Sequence, residues 1–319
     1  MRSSYFCAVL LSVLVFCASS TAQLAPIGNS RSSSDRARDR SDAELSRRMS
    51  DMHTLERRLE LATRQPKGMP VEPKLSDEQR EHVLKVRRVS AANLEKYSGF
   101  LKQEHTGIFK LFPDLGCISK QVVKVTQECE RYVALSSSFT FRTNSYSDEV
   151  YHDIRFTNDR LSSSSFFSQG VFTAIGDEPI ENIELSHPAL KFLTSLEPDV
   201  DPKLAAEHAH QFQTGVDSSG YHYADGLGPQ QNVTYALRMI AYRLENSLKP
   251  LSEQTTSNEM MFLSLTFDKR LDIVVLFRVL GEDENGGLTI VWKELSRNDA
   301  AKIKFGKNQT LKDFRPEKK

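Results

Sequence analysis

No run of 18 consecutive apolar residues occurs in this chain. A hydrocarbon core about 30 Å thick needs roughly 20 such residues in a helix, so nothing here predicts a membrane-spanning helix in a mature form. Charge of one sign is also lacking: 42 Lys and Arg balance 42 Asp and Glu. A neutral balance provides no field to steer the protein onto DNA, RNA or anionic lipid, so nucleic acid is not an expected partner. Cysteine is scarce, with four residues in all. None forms a Cys-x-x-Cys pair or sits among histidines at zinc-ligand spacing, which argues against redox and metal roles. The phosphate-loop pattern Gly-x-x-x-x-Gly-Lys-Ser/Thr and the dinucleotide fingerprint Gly-x-Gly-x-x-Gly are missing, so no cofactor is expected. The serine run Ser162 to Ser165 lacks a Gly-x-Ser-x-Gly elbow and reads as a loop. Hydrophobic content, 39%, is low for a wholly globular chain, and Ser/Arg-rich stretches account for part of that.

What is present begins with an export signal. Arg2 supplies a positive start, Cys7 to Cys17 an apolar stretch, and Ser20-Thr21-Ala22 the small residues before a cut ahead of Gln23. That order is the pattern of a cleavable signal peptide over residues 1–22. Two alternatives are an uncleaved anchor and a lipoprotein cut before Cys17, for which bulky Phe16 is a poor fit. Cleavage removes one charge, Arg2, and leaves 41 basic against 42 acidic residues. It also removes Cys7 and Cys17. The remaining pair, Cys117 and Cys129, reads as one disulfide in a secreted or periplasmic protein. It would close a short loop from Ile118 to Glu128, a constraint of roughly 3 kcal/mol or less in the chain-entropy model.

Residues 23–40 are polar and charged, too poor in apolar side chains to offset ordering entropy, and read as a disordered tether. Ser41-Asp42-Ala43-Glu44 is a capping box, followed by Leu45, Met49, Met52, Leu55, Leu59 and Ala62 on an otherwise charged helix over 41–64. That helix reads either as one lying on the main domain or as a coiled-coil, partner-binding segment. Residues 65–75, with three prolines, form an extended linker. A second capping box at Ser76 and Gln79 opens a helix expected from Asp77 to Gln103.

Residues 76–297 then read as an α+β domain. Phe139 to Arg142, Asp153 to Phe156, Phe166 to Ile175, Ile180 to Leu185 and Phe262 to Phe267 suit strands. Leu190 to Leu196 and Leu204 to Phe212 suggest two short helices. Val233 to Leu244 fits alternation better than one helical stripe. Leu271 to Leu280 is apolar on both parities and predicts a central strand covered on both faces. Asp283-Glu284-Asn285-Gly286-Gly287 is a hairpin turn, and Leu288 to Leu295 returns. A two-residue loop would set Arg278 against Lys293, whereas a four-residue loop sets Phe277 against Trp292 and is preferred. Either register puts Val275, Phe277, Val279, Ile290 and Trp292 on one face. Residues 298–319 read as a loose polar tail.

Chemistry-bearing clusters are few. Glu207-His208-Ala209-His210 places two histidines at i and i+2, about 200° apart on a helix, which is not zinc spacing. Tyr221-His222-Tyr223 reads as strand, with the tyrosines on one face for packing and His222 on the other; a polar binding rim is the sharper alternative. Asp148, Glu149, His152 and Asp153 offer acid and base groups, but neighbours in sequence do not make a facing carboxylate pair. The pocket candidates are therefore His152, Glu207, His208 and His222, joined only if folding brings them together. Asn232-Val-Thr234 and Asn308-Gln-Thr310 are glycosylation sequons.

Several segments resemble a family of exported bacterial proteins of unassigned function. They are Leu94 to Cys117, Gln169 to Pro179, Asn232 to Arg243, Phe267 to Arg278 and Thr289 to Leu295. The resemblance implies an envelope setting and brings no activity or site residues.

These readings converge on an α+β fold in which N-terminal helices precede a mostly antiparallel sheet domain. The function expected is a non-catalytic exported module whose partner is an envelope protein or surface component. The competing expectation is a secreted hydrolase whose site assembles only in three dimensions.

Overall fold

The computed structural model describes residues 75–119, 122–123, 129, 131–147, 151–163, 165–244, 265, 268–307, 309 and 314. The readings of residues 1–22, 23–40, 41–64 and most of the 65–75 linker lie outside them. So do Asp148, Glu149, Asn308 and, apart from Leu265, the strand expected over 262–267.

The fold is α+β. In chain order the helices are α1 (Asp77–Val86), α2 (Ala91–Lys96), α3 (Pro188–Ser195) and α4 (Pro202–Thr214). The strands are β1 (Thr106–Leu111), β2 (Ile118–Ser119), β3 (Val122–Val123), β4 (Ser138–Thr140), β5 (Ser145–Tyr146) and β6 (Ile154–Thr157). There follow β7 (Arg160–Ser162), β8 (Ser168–Gly176), β9 (Val216–Ser218), β10 (Tyr221–Ala224), β11 (Gly226–Leu227) and β12 (Thr234–Ala241). The last are β13 (Arg243–Leu244), β14 (Leu271–Glu282), β15 (Leu288–Asp299) and β16 (Lys302–Ile303). A seven-stranded antiparallel sheet runs β1-β15-β14-β12-β8-β10-β9, and a five-stranded one runs β11-β7-β6-β4-β5.

The large sheet is buried on both faces, as the unbroken apolar run of β14 requires. Its inner face, with Phe172, Tyr235, Leu237, Val275, Phe277, Ile290 and Trp292, packs on Phe139, Ile154, Phe156 and Leu161 of the small sheet. Phe109 and Phe139 stack across the two sheets with centroids 3.7 Å apart. The outer face, with Val171, Ala236, Val274, Leu276 and Val291, is covered by Leu190 and Leu193 of α3, Phe212 of α4, and Tyr97 and Phe100.

The β14–β15 hairpin has the expected pairing: Phe277 lies opposite Trp292, and Arg278 faces Val291 instead of Lys293. The loop itself is longer than expected, Asp283 to Gly287. One residue of bulge at Leu280 restores the register. Asp283 organises the turn, its Oδ1 accepting from the amides of Asn285 (3.0 Å) and Gly287 (2.9 Å), while Gly286 supplies φ of +76°.

Three other expectations are corrected. The helix expected over Asp77 to Gln103 is two helices and a 3-10 turn. The Ser76 box caps α1, with Gln79 bonded reciprocally, but Ser90 accepts from Asn93 and starts α2 afresh. Between them Arg87 turns inward, 3.6 Å over the Tyr146 ring, and bonds Ser136 Oγ and the carbonyls of Ala134 and Leu135. Ile180 to Leu185 is not a strand. Ile180–Asn182 is a 3-10 turn that buries Ile180 and Ile183, three residues apart, on the same side. The chain after Asn298 is not all loose tail: β15 continues to Asp299, β16 pairs with β13, and Ile303 packs with Phe167 and Tyr242.

Candidate functional site

Polar side chains gather in two settings, one sealed and one exposed. The sealed setting lies where β4 ends and β14 begins. Arg142 and Asp153 are both fully enclosed, with Nε to Oδ1 at 2.6 Å, and Asp153 Oδ2 also accepts from the Arg142 amide at 3.1 Å. The Arg142 Nη1 group donates to Asp268 (2.7 Å) and to the carbonyl of Lys269 (2.6 Å); Nη2 reaches the carbonyl of Tyr151 (2.8 Å). Arg270 shares Asp268 at 2.7 Å and donates to the carbonyls of Tyr242, Phe166 and Phe167. Burial pulls the Arg270 guanidinium down to about 10, with Asp268 opposing. Burial pulls on Arg142 as well, but Asp153 and Asp268 outweigh it and hold its value above the usual one. Such a network exchanges hydration for paired charges and leaves no face open to a substrate. His152, buried beside Asp153, belongs to this sealed region.

The second setting is the exposed side of α4 and the β9–β10 hairpin. Asp201 caps α4 by accepting from the amides of Lys203 (2.8 Å) and Leu204 (3.1 Å), and Pro202 starts it. Ala205 and Phe212 turn into the core, leaving Glu207, His208 and His210 outside. Glu207 lies 3.9 Å from Lys203, and His208 Nδ1 meets Asp199. His222 stands on β10, its Nδ1 2.8 Å from Asp217. Its ring covers Gly215 at the end of α4; a Cβ there would fall 2.2 Å from His222 Cε1. The alternation expected for this strand holds: Tyr223 is buried, its hydroxyl donating to the Ala189 carbonyl at 3.0 Å, and His222 points out.

Folding therefore leaves Glu207 and His208 exposed on α4 and His222 exposed on β10, each with its own ionic partner, and buries His152 in the other setting. Among the described residues no three His, Cys, Asp or Glu side chains gather closely enough to hold a metal ion. Cys117 and Cys129 form the disulfide, with S–S of 2.06 Å and Cα atoms 5.7 Å apart. No described helix is long and apolar enough to cross a membrane. A groove of about 310 Å³ runs between α1 and the 132–134 segment, lined by Leu75, Glu78, Gln79, His82, Val83 and Tyr132.

Sequence reasoning missed the buried arginines. Arg238 on β12 is embedded between apolar neighbours. It binds Asp272 through both carboxylate oxygens (3.0 and 2.7 Å) and the carbonyls of Leu193 and Leu196 (2.6 Å each) at the end of α3. Arg278 binds the Glu178 carbonyl and Thr234 Oγ1, each at 3.0 Å, and Asp177. The available signal was an arginine inside an otherwise unbroken apolar strand, since an unpaired charge there is too costly to keep.

The chain matches no protein-family model, no curated protein and no solved structure. Its function is argued from its own residues.

Proposed function

We propose that this protein is a non-catalytic exported module that binds an envelope protein or surface component. On this reading the signal is cut after Ala22, and the mature chain works in the periplasm or is secreted. One observation carries it: one of the acid–base groups read from the sequence, Asp153 with His152, lies inside the protein, and Asp153 is bonded twice to Arg142. A general base must reach a substrate proton at hydrogen-bond distance, which an enclosed carboxylate does not. Its role is to fix Arg142, which reaches Asp268 and the Lys269 carbonyl next to the large sheet. The Cys117–Cys129 bridge supports the export half of the reading, because such bonds persist in oxidising compartments.

The test has two parts. Mass spectrometry of the protein from fractionated host cells should find a mature N-terminus at Gln23 outside the cytoplasm and no thiol open to alkylation. The purified oxidised chain should then be retained saturably on washed host envelopes without releasing soluble fragments from them. Full-length protein with free thiols in the cytosol would end the export reading. Fragment release abolished by Glu207→Gln, His208→Ala or His222→Ala would replace the binding reading with the hydrolase.

A further inference from the structure

We infer that the N-terminal end of α3 is a proton-operated latch worked by His187. This inference is independent of the binding reading. α3 lies on the outer face of the large sheet and is held at both ends by side chains. At its C-terminal end Arg238, fixed by Asp272, donates to the carbonyls of Leu193 and Leu196. That clasp contains no imidazole. At its N-terminal end the cap is His187, whose Nδ1 accepts from the Ala189 amide at 3.2 Å. An imidazole nitrogen accepts only when it carries no proton, so the capped state requires the neutral ring protonated on Nε2.

Uptake of a second proton converts Nδ1 from acceptor to donor. It then faces the Ala189 N–H, a second donor, at the positive end of the helix. The cap bond is lost, and a like charge replaces it. The groups facing the ring are few. Glu178, in the segment after β8, lies 3.4 Å from Nε2 and favours the cation, but its side chain is 40% exposed and water screens it. Tyr221 of β10 meets the ring edge-on with centroids 6.3 Å apart. Lys191, one turn along α3, is exposed, so its charge is screened by water. On this inference acid breaks the bond at Nδ1 and releases the first turn of α3 while Arg238 still holds its last.

Hydrogen exchange of the Ala189 amide reads this directly. Between pH 7.5 and pH 5, after correction for the intrinsic exchange rate, its protection should fall roughly tenfold, about the size of one lost N-cap. Amides near the Arg238 end should keep theirs. In His187→Asn, whose side chain caps without titrating, Ala189 should stay protected at both pH values; in His187→Ala it should be open at both. Wild-type protection that is flat with pH, or an equal fall in His187→Asn, overturns the latch. Far-UV circular dichroism of each variant at pH 7.5 confirms that it is folded.

Discussion

The two faces of the large sheet are both buried but fasten what they carry by different means. On the inner face the small sheet is joined by stacked aromatic rings, and Arg142 and Asp153 are closed off completely at one end. On the outer face, α3 is tied at its ends. Arg238 and Asp272 keep about a tenth of their side-chain surface exposed, and His187 caps the other end. A sealed charge pair cannot come apart without the protein opening, because either partner alone would be left in low dielectric. Leu190 and Leu193 anchor the middle of α3 on the sheet, so its ends are what can open locally, as low-stability segments of folded proteins do. The inner face is thus built for permanence, and the outer face permits local motion.

The sharpest way to break this contrast is Arg142→Met. It leaves Asp153 enclosed and without its main partner, a change that costs about 3–5 kcal/mol. Urea unfolding should show that loss as a single cooperative transition. If hydrogen exchange instead showed only segments near Arg142 loosening at unchanged global stability, the inner face would not be the permanent half. A loss of stability is also expected in base. Burial raises the hydroxyls of Tyr146, Tyr235 and Tyr242, and on the outer side those of Tyr97 and Tyr223. Their folded values exceed the unfolded value of about 10. The stability they contribute is complete below pH 10 and lost as pH rises through the folded values, because the unfolded chain gives up those protons first. Tyrosinate absorbance and circular dichroism followed in one base titration should therefore change together. Ionisation of these five rings well before unfolding would show that they are not sealed.

Next in size is Arg238→Met, which strands Asp272 and two helix carbonyls in a site that water partly reaches. The cost should be about 2–3 kcal/mol, with exchange rising in α3 before β12 and β14. Uniform loosening of the whole sheet would erase the distinction between the faces. Replacing Cys117 and Cys129 by alanine removes a short-loop constraint of at most about 3 kcal/mol, measured as a shift in thermal midpoint. Less is expected if the reduced chain keeps local structure.

Much of the inner face was legible in the sequence. The double parity of β14, the turn residues after it and the aversion of Arg278 to Lys293 fix one register, and Phe277 meets Trp292. Alternation placed Tyr223 on one face and His222 on the other, and Leu190 to Leu196 and Leu204 to Phe212 read as short helices, although Pro202, read as a breaker, opens α4. The buried arginines were not legible. A strand such as Phe139-Thr-Phe-Arg142 looks the same whether its arginine faces water or a carboxylate eleven residues on. Asp153, Asp268 and Asp272 declare themselves as partners only once the sheets are assembled. The break at Arg87 was hidden for the same reason: its three acceptors lie about 50 residues away in sequence. Glu207, His208 and His222, read from the sequence as pocket candidates, are exposed, each with an ionic partner of its own that sequence spacing does not announce.

The smallest expected effects belong to that exposed set, and their smallness makes them useful. His222 and Asp217 expose 61% and 88% of their side chains, so their contact at 2.8 Å is an exposed pair, of the kind typically worth about 0–1 kcal/mol. Glu207 and Lys203 are similarly open at 57% and 70%. Glu207→Gln, His208→Ala and His222→Ala should each leave the urea midpoint within about 0.5 kcal/mol of wild type. A loss of envelope retention in one of them would then report on the surface itself and not on folding. A drop in stability of 2 kcal/mol or more, far above the roughly 0.5 kcal/mol usual for surface changes, would mean that this side of α4 belongs with the sealed half of the molecule.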